Sequence, residues 1–262
     1  MPEGDTIFRA ARSLHHALAG RTVTSFISVL PHLLRVDEDQ PLRGRTIDRV
    51  EARGKHLLIW FSGGLALRTH MRMHGSWHLY RPGESWQRPR HEMRIAIGTD
   101  AYDAVAFSVP TAEFLAAADV DRQSPLRELG PDPLGATFDA AAAAARIAAR
   151  PELEIADALL DQRAIAGIGN IWKSESLFVA GLNPFTRVAA LDAATLEALV
   201  VTAAKLLRRS AAGARPRMWV YGRGGEPCRR CGTPIARRKQ GEHARSTYWC
   251  ERCQTQVLGT RY

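Results

Sequence analysis

The chain has 262 residues, a formal net charge of +9 and a hydrophobic share of 45%. That length suffices for one large or two ordinary domains with a sizeable core, and the composition argues against disorder. No apolar run approaches the width of a bilayer, and Glu3 and Asp5 stand where a secretory signal would be basic and then apolar, so we expect no membrane association and a cytoplasmic or nucleoid location.

Residues 5–18 carry Ile7, Ala10, Ala11, Leu14 and Leu18 at helical spacing, and Gly20 supplies a stop. From residue 21 to 107 the pattern changes to short apolar stretches at 22–30, 46–52, 56–61, 65–71, 77–80, 93–97 and 104–107. Gly63-Gly64 and Gly98-Thr99-Asp100 act as turns between them, which predicts an antiparallel sandwich or barrel. Residues 121–133 are polar and contain prolines, as a linker would. Helical patterns follow at 140–149, around 155–160, at 172–179 and at 191–207. Between two of them lies the glycine-rich turn Ala166-Gly167-Ile168-Gly169-Asn170. Ordinary bundle packing and a turn that offers backbone amides to phosphate both fit it. It is no dinucleotide fingerprint, because position 172 is Trp and no strand precedes it.

Charge is unevenly spread. Residues 215–262 hold eleven Arg and Lys against Glu226, Glu242 and Glu251, so nearly all the positive excess sits in the last segment. Such a cluster suits a polyanion, whose condensed counterions are released on binding; a merely solvated basic tail is the plain alternative. The same segment contains all four cysteines, as Cys228-Arg-Arg-Cys231 and Cys250-Glu-Arg-Cys253. Two close pairs eighteen residues apart read as a four-thiolate zinc site. Two disulfides are the competing reading, and a cytoplasmic chain rarely keeps them. A segment this short and polar cannot fold by burial alone, so the zinc is expected to be structural and to organise a hairpin bearing Arg237, Arg238, Lys239, His243 and Arg245.

The start Pro2-Glu3-Gly4-Asp5-Thr6 behind Met1, the turn Gly167-Ile168-Gly169-Asn170, and the ending from Val220-Tyr221-Gly222-Arg223 through Cys253-Gln254 together resemble the formamidopyrimidine-DNA glycosylase and endonuclease VIII family. The likeness spans the full length, and the Pro-Glu-Gly-Asp start is similar to the endonuclease VIII branch, which acts mainly on oxidised pyrimidines. The resemblance implies an α+β fold: an N-terminal helix plus an antiparallel β-sandwich over 1–118, a linker over 119–134, a helical domain with a helix-two-turn-helix over 135–215, and a four-cysteine zinc finger over 216–262. It also implies a monomer that holds damaged double-stranded DNA, and single-stranded or bubble DNA as further substrates, with the damaged nucleotide turned out of the stack.

The chemistry fits the residues. Once Met1 is removed, Pro2 offers a secondary amine with a pKa near about 8, far better deprotonated at neutral pH than a lysine near about 10.4, and able to form an iminium at the sugar C1′. A Pro after Met is also common with no such role. Glu3 is the implied general acid and base, although a carboxylate at the start of a helix is equally sound physics. Lys55, in Arg53-Gly54-Lys55-His56, matches the family lysine at the phosphate beside the lesion, and Arg245 the finger arginine that assists δ-elimination. Asn170 matches the turn asparagine on the flanking phosphate, with helix capping as its plain alternative. Arg72, Met73 and His74 align with the tip that fills the gap left by the extruded base, and Arg127 with a DNA-contacting basic residue ahead of the Gly130-Pro131-Asp132 turn. Cys228, Cys231, Cys250 and Cys253 are the zinc ligands.

Three departures matter. The segment Ala106-Phe107-Ser108-Val109-Pro110 lacks the arginine that the formamidopyrimidine branch carries there, Ala156 replaces that branch's lysine, and the finger spacing of eighteen is longer than the common sixteen. Two other readings stand beside the first: an oxidised-purine glycosylase with the same catalytic scheme, and a zinc-ribbon DNA-binding protein without catalysis.

Overall fold

A computed structural model describes residues 2–255. Met1, whose removal the chemistry requires, and residues 256–262 lie outside the described residues. The chain divides into two compact units. One comprises Pro2 and residues 6–127, the other residues 3–5 and 128 onward.

The first unit is a sandwich. Helix α1 (Gly4–Leu18) turns Ile7, Ala11, Leu14 and Leu18 inward, and Gly20 ends it at φ +79°. Strands follow as β1 (Ser25–Ser28), β2 (Ile47–Arg53), β3 (His56–Phe61), β4 (Leu65–His70), β5 (Ser76–Tyr80), β6 (Met93–Gly98), β7 (Asp103–Phe107) and β8 (Thr111–Ala116), with helix α2 (Pro31–Asp39) after β1. They form two four-stranded antiparallel sheets, ordered β1-β6-β7-β5 and β2-β3-β4-β8. The core between them takes Ile47, Leu57, Ile59, Phe61 and Leu67 from one sheet and Ile95, Ile97, Ala104 and Ala106 from the other. Alternate side chains along these strands point into this core, and the short apolar stretches between turns in the sequence mark where the strands lie.

The departures from the sequence reading are local. The stretch at 22–30 is a strand only over Ser25–Ser28, because Pro31 opens α2, where proline's fixed φ and missing N–H cost nothing. Strand β8 was not expected, since Glu113 interrupts its short apolar pattern; it forms because it pairs along the full length of β4. The expected linker contains a 3₁₀ turn (Ala117–Arg122) and helix α3 (Ser124–Arg127), anchored by buried Val120 and Leu126.

The second unit is helical, with α4 (Ala140–Ala148), α5 (Ile155–Ala158), α6 (Asn170–Ala180) and α7 (Ala193–Ala211). Asp139 and Asp192 cap α4 and α7 by accepting from Ala142 N at 2.8 Å and Thr195 N at 2.7 Å. The expected helix at 155–160 is a single turn. The core joins Ile147, Ile155, Leu159, Ile168, Trp172, Leu199 and Leu207, so the turn between α5 and α6 is packed and not a loose loop. The unit ends in a two-stranded hairpin, β9 (Ala236–Gln240) and β10 (Arg245–Trp249), whose tip uses positive φ at Gly241 and Ala244. This is the hairpin expected from the cysteine spacing.

Candidate active site and zinc finger

Glu3 is buried, and its carboxylate lies at the N-terminus of α6. Oε1 accepts from Ile171 N at 2.7 Å and Oε2 from Trp172 N at 3.2 Å, two of the amides that a helix start leaves without partners. The residue therefore serves the start of α6, while standing directly before the helix that begins at Gly4. Two glycines make room for it. A Cβ on Gly169 would stand within 2.6 Å of Glu3 Cγ and Oε1, and one on Gly4 would stand 2.8 Å from Gly167 Cα. Gly4 N also donates to Gly167 O at 2.9 Å. Asp5 continues the docking by accepting from Trp172 Nε1 at 3.0 Å and from Ser210 Oγ at 2.6 Å. The start motif and the glycine turn thus form one structure, with the half-buried Pro2 leading directly into it.

Asn170 does not cap α6; the N-cap is Gly169, and the Asn170 side chain turns to the zinc hairpin instead. Its Nδ2 donates to Ser246 O at 2.7 Å, and its Oδ1 accepts from Lys173 Nζ at 2.7 Å. Glu175, buried on the same helix, accepts from Trp219 N, Val220 N and Tyr221 N at 2.8–2.9 Å. The Val220-Tyr221 motif is therefore held by a carboxylate that the sequence reading did not single out. Arg245, half-buried, opens β10, next to the left-handed Ala244.

The four cysteine Sγ atoms lie within 4.8 Å of one another, with Cys228 to Cys253 at 3.9 Å and Cys231 to Cys250 at 3.4 Å. Four thiolates about 2.3 Å from a tetrahedral zinc would stand roughly 3.8 Å apart, so the cluster fits one structural zinc with no open position. Among the described residues the thiols are free, not disulfide-bonded. Val220, Ile235 and Phe178 pack against them. On the hairpin outside, Arg237, Arg238 and Lys239 are exposed, and Arg238 stacks 3.6 Å over Phe185.

In the first unit, Lys55 sits in the two-residue turn between β2 and β3. Beside it His56 and His70 meet edge to face at 4.9 Å. Burial pushes His56 down to about 3 and His70 down to about 4, helped by the nearby cations Arg68, Arg72 and Lys55. Both rings are neutral at physiological pH. The Nδ1 of His70 accepts from Arg72 N and that of His56 from an Arg68 guanidinium, so in each ring the proton resides on Nε2. Sequence reasoning passed over both histidines, which carry no spacing signal. The loop between β4 and β5 is an exposed tip: Arg72, at φ +52°, Met73, which is 55% exposed, and His74. With Arg88, Arg94 and Ser108–Pro110 it lines a cleft of about 530 Å³. In this cleft Arg88 donates to His74 O at 3.2 Å and Ser76 Oγ at 3.0 Å and pairs with Glu92. Arg127 is exposed at the end of α3.

Comparison with known proteins agrees with this geometry. The N-terminal domain of formamidopyrimidine-DNA glycosylases matches residues 1–112, their H2TH domain residues 129–216, and the zinc finger found in these enzymes and in isoleucyl-tRNA synthetases residues 225–256. The probable endonuclease 8 2 of Streptomyces coelicolor is 42% identical, over 97% of this chain and 94% of that protein. The DNA-(apurinic or apyrimidinic site) lyase Nei2 of Mycolicibacterium smegmatis is 38% identical, over 97% and 99%. The fold matches a Lactococcus lactis formamidopyrimidine-DNA glycosylase solved with abasic-site DNA, at a TM-score of 0.85 and 23% identity over 97% and 100% of the two chains. With three domains matched in order and relatives of this identity over almost the whole length, the chain belongs to the formamidopyrimidine-DNA glycosylase and endonuclease VIII family.

Proposed function

We propose that the protein is a bifunctional DNA glycosylase and abasic-site lyase of base excision repair, acting mainly on oxidised pyrimidines. The observation that carries this reading is the Glu3 carboxylate, fixed by two α6 amides one residue after Pro2. The Pro2 nitrogen lone pair forms a bond to the sugar C1′ of an extruded nucleotide, the glycosidic electron pair departs with the base, and the base takes up the proton that the Pro2 nitrogen loses. Glu3 protonates the ring oxygen in the same step, as the C1′–O4′ bond opens and leaves an iminium. Its carboxylate then removes a proton from C2′, and β-elimination expels the 3′ phosphate. Arg245 assists δ-elimination at the remaining phosphate.

Lys55 and Asn170 hold the phosphates that flank the lesion, and Arg127 adds a further backbone contact. Arg72, Met73 and His74 fill the vacated stack. The zinc holds no reacting atom; it fixes the arginine hairpin that grips the backbone. No helix of the described residues is long and apolar enough to cross a membrane, and we place the enzyme in the cytoplasm or nucleoid as a monomer on duplex DNA, with single-stranded or bubble DNA as further substrates.

A panel of duplexes tests the substrate. Single-turnover base release is expected to be faster from thymine glycol and dihydrouracil than from 8-oxoguanine. The reverse order would assign the protein to purine lesions.

A further inference from the structure

Lys173 is 1% exposed, one turn into α6, and belongs to none of the roles above. Burying an ammonium costs several kcal/mol unless it is well paired, and a Met or Leu would fill the same space without that cost. Its partners are specific. Nζ donates to Asn170 Oδ1 at 2.7 Å and to Thr247 Oγ1 at 2.8 Å. The Thr247 hydroxyl then donates to Gln240 Oε1 at 2.7 Å, and Gln240 Nε2 donates to Glu154 Oε2 at 2.6 Å and Pro184 O at 3.1 Å.

The consequence falls on Asn170. An ammonium only donates, so the amide oxygen must face Lys173, and the amide nitrogen is thereby directed to Ser246 O, with its second hydrogen left to offer a phosphate. An Asn with the opposite flip would present an oxygen where a DNA phosphate requires a donor. The same ammonium ties α6 to β10, two residues from Arg245. We propose that Lys173 is a positioning residue of the DNA-gripping site, its charge setting the orientation of the Asn170 amide and the register of α6 against the zinc hairpin. This rests on the reading of Asn170 and Arg245 as phosphate-facing groups.

The charge is only marginally held. Burial pulls Lys173 down to about 8; Asp157 and Glu3 oppose that pull, and Arg245 adds to it. A phosphate brought to Asn170 adds negative charge nearby and favours the protonated form, so binding takes up a proton and affinity is lost as pH rises through about 8. An upward shift of one unit in the complex corresponds to a roughly tenfold loss of affinity at alkaline pH.

The test uses the full-length zinc-loaded protein and a duplex carrying a tetrahydrofuran abasic analogue, which cannot form an imine. Its Kd is measured from pH 6.5 to 9.5 at fixed ionic strength, together with the melting temperature. Because Pro2 titrates in the same range, the readout is the difference between wild type and Lys173→Met. Lys173→Met is expected to bind more weakly at pH 7 and to lose about ten times less affinity towards pH 9.5. A folded Lys173→Met with the wild-type pH profile overturns the proposal. Should that variant unfold, Thr247→Val decides. Removing an acceptor from the ammonium lowers its pKa, so the alkaline loss is expected to begin at lower pH, and an unmoved profile overturns the proposal. Wild-type trapping by borohydride on a natural abasic site is run alongside. Its failure would contradict the proposed function itself, whereas trapping with an unaltered Lys173→Met profile contradicts only the role of Lys173.

Discussion

Replacing Glu3 with Gln is expected to lower base release by roughly 10²- to 10⁴-fold, the range that a positioned general acid supplies, while cutting of a preformed abasic site falls much less. The difference arises because the acid is needed most when the ring oxygen must be protonated as the base departs; an abasic sugar already opens to its aldehyde. Gln also presents an amide nitrogen to one of two backbone donors, Ile171 N or Trp172 N, so the side chain loses its seat as well as its proton. Gly169→Ala reaches the same end by another route, since the new Cβ overlaps the Glu3 carboxyl. Single-turnover rates on a thymine glycol duplex and on an abasic duplex, measured side by side, check both variants. Equal losses on the two substrates would mean that Glu3 holds the fold and transfers no proton.

Removing the zinc has the second large effect. The hairpin has few apolar neighbours of its own, with Val220, Ile235 and Phe178 gathered around the cysteines, and zinc supplies about 10–16 kcal/mol in comparable small fingers. Cys250→Ser, or prolonged chelation, is expected to weaken binding to the abasic analogue by roughly 100-fold, or about 2.7 kcal/mol. The dependence of log K on log salt should flatten by about 0.9 for each phosphate that Arg237, Arg238, Lys239 or Arg245 no longer neutralises. The loss should extend to catalysis, because Asn170 is oriented through Ser246 and Lys173 through Thr247. The helical core and the sandwich have their own buried clusters and are expected to keep their far-ultraviolet signal. Unchanged affinity and salt slope in a metal-free protein would show that the hairpin does not grip DNA.

Much of this molecule was legible in the sequence because it is written in periodicities. The 3.6 spacing from Ile7 to Leu18, the short apolar stretches broken by turn residues between 22 and 107, and the two Cys pairs point to a helix, a set of strands and a metal site. Elements that depend on distant partners were not legible. Strand β8 exists because the edge of β4 needs a partner, and α2 because Pro31 starts a turn where the strand pattern ran on. The same holds for the site. Pro2, Glu3 and the cysteines sit in motifs, whereas Lys173, Glu175, His70 and Arg88 act through neighbours 14 to 74 positions away or across a fold. Glu3 meets the amides of a helix start, that of α6 across the sequence, and Asn170, at the first position of that helix, turns its side chain to the zinc hairpin and does not cap it.

The central claim is that the reacting nitrogen is the α-amine of Pro2. Borohydride reduction of the enzyme on an abasic oligonucleotide, followed by proteolysis and mass mapping of the adduct, tests it most directly. One sugar-derived mass is expected on the N-terminal peptide, attached at Pro2 with Met1 absent, and no adduct when Met1 is retained. An adduct on a peptide containing Lys55 or Lys173, or full strand cutting by protein that still carries Met1, would contradict it.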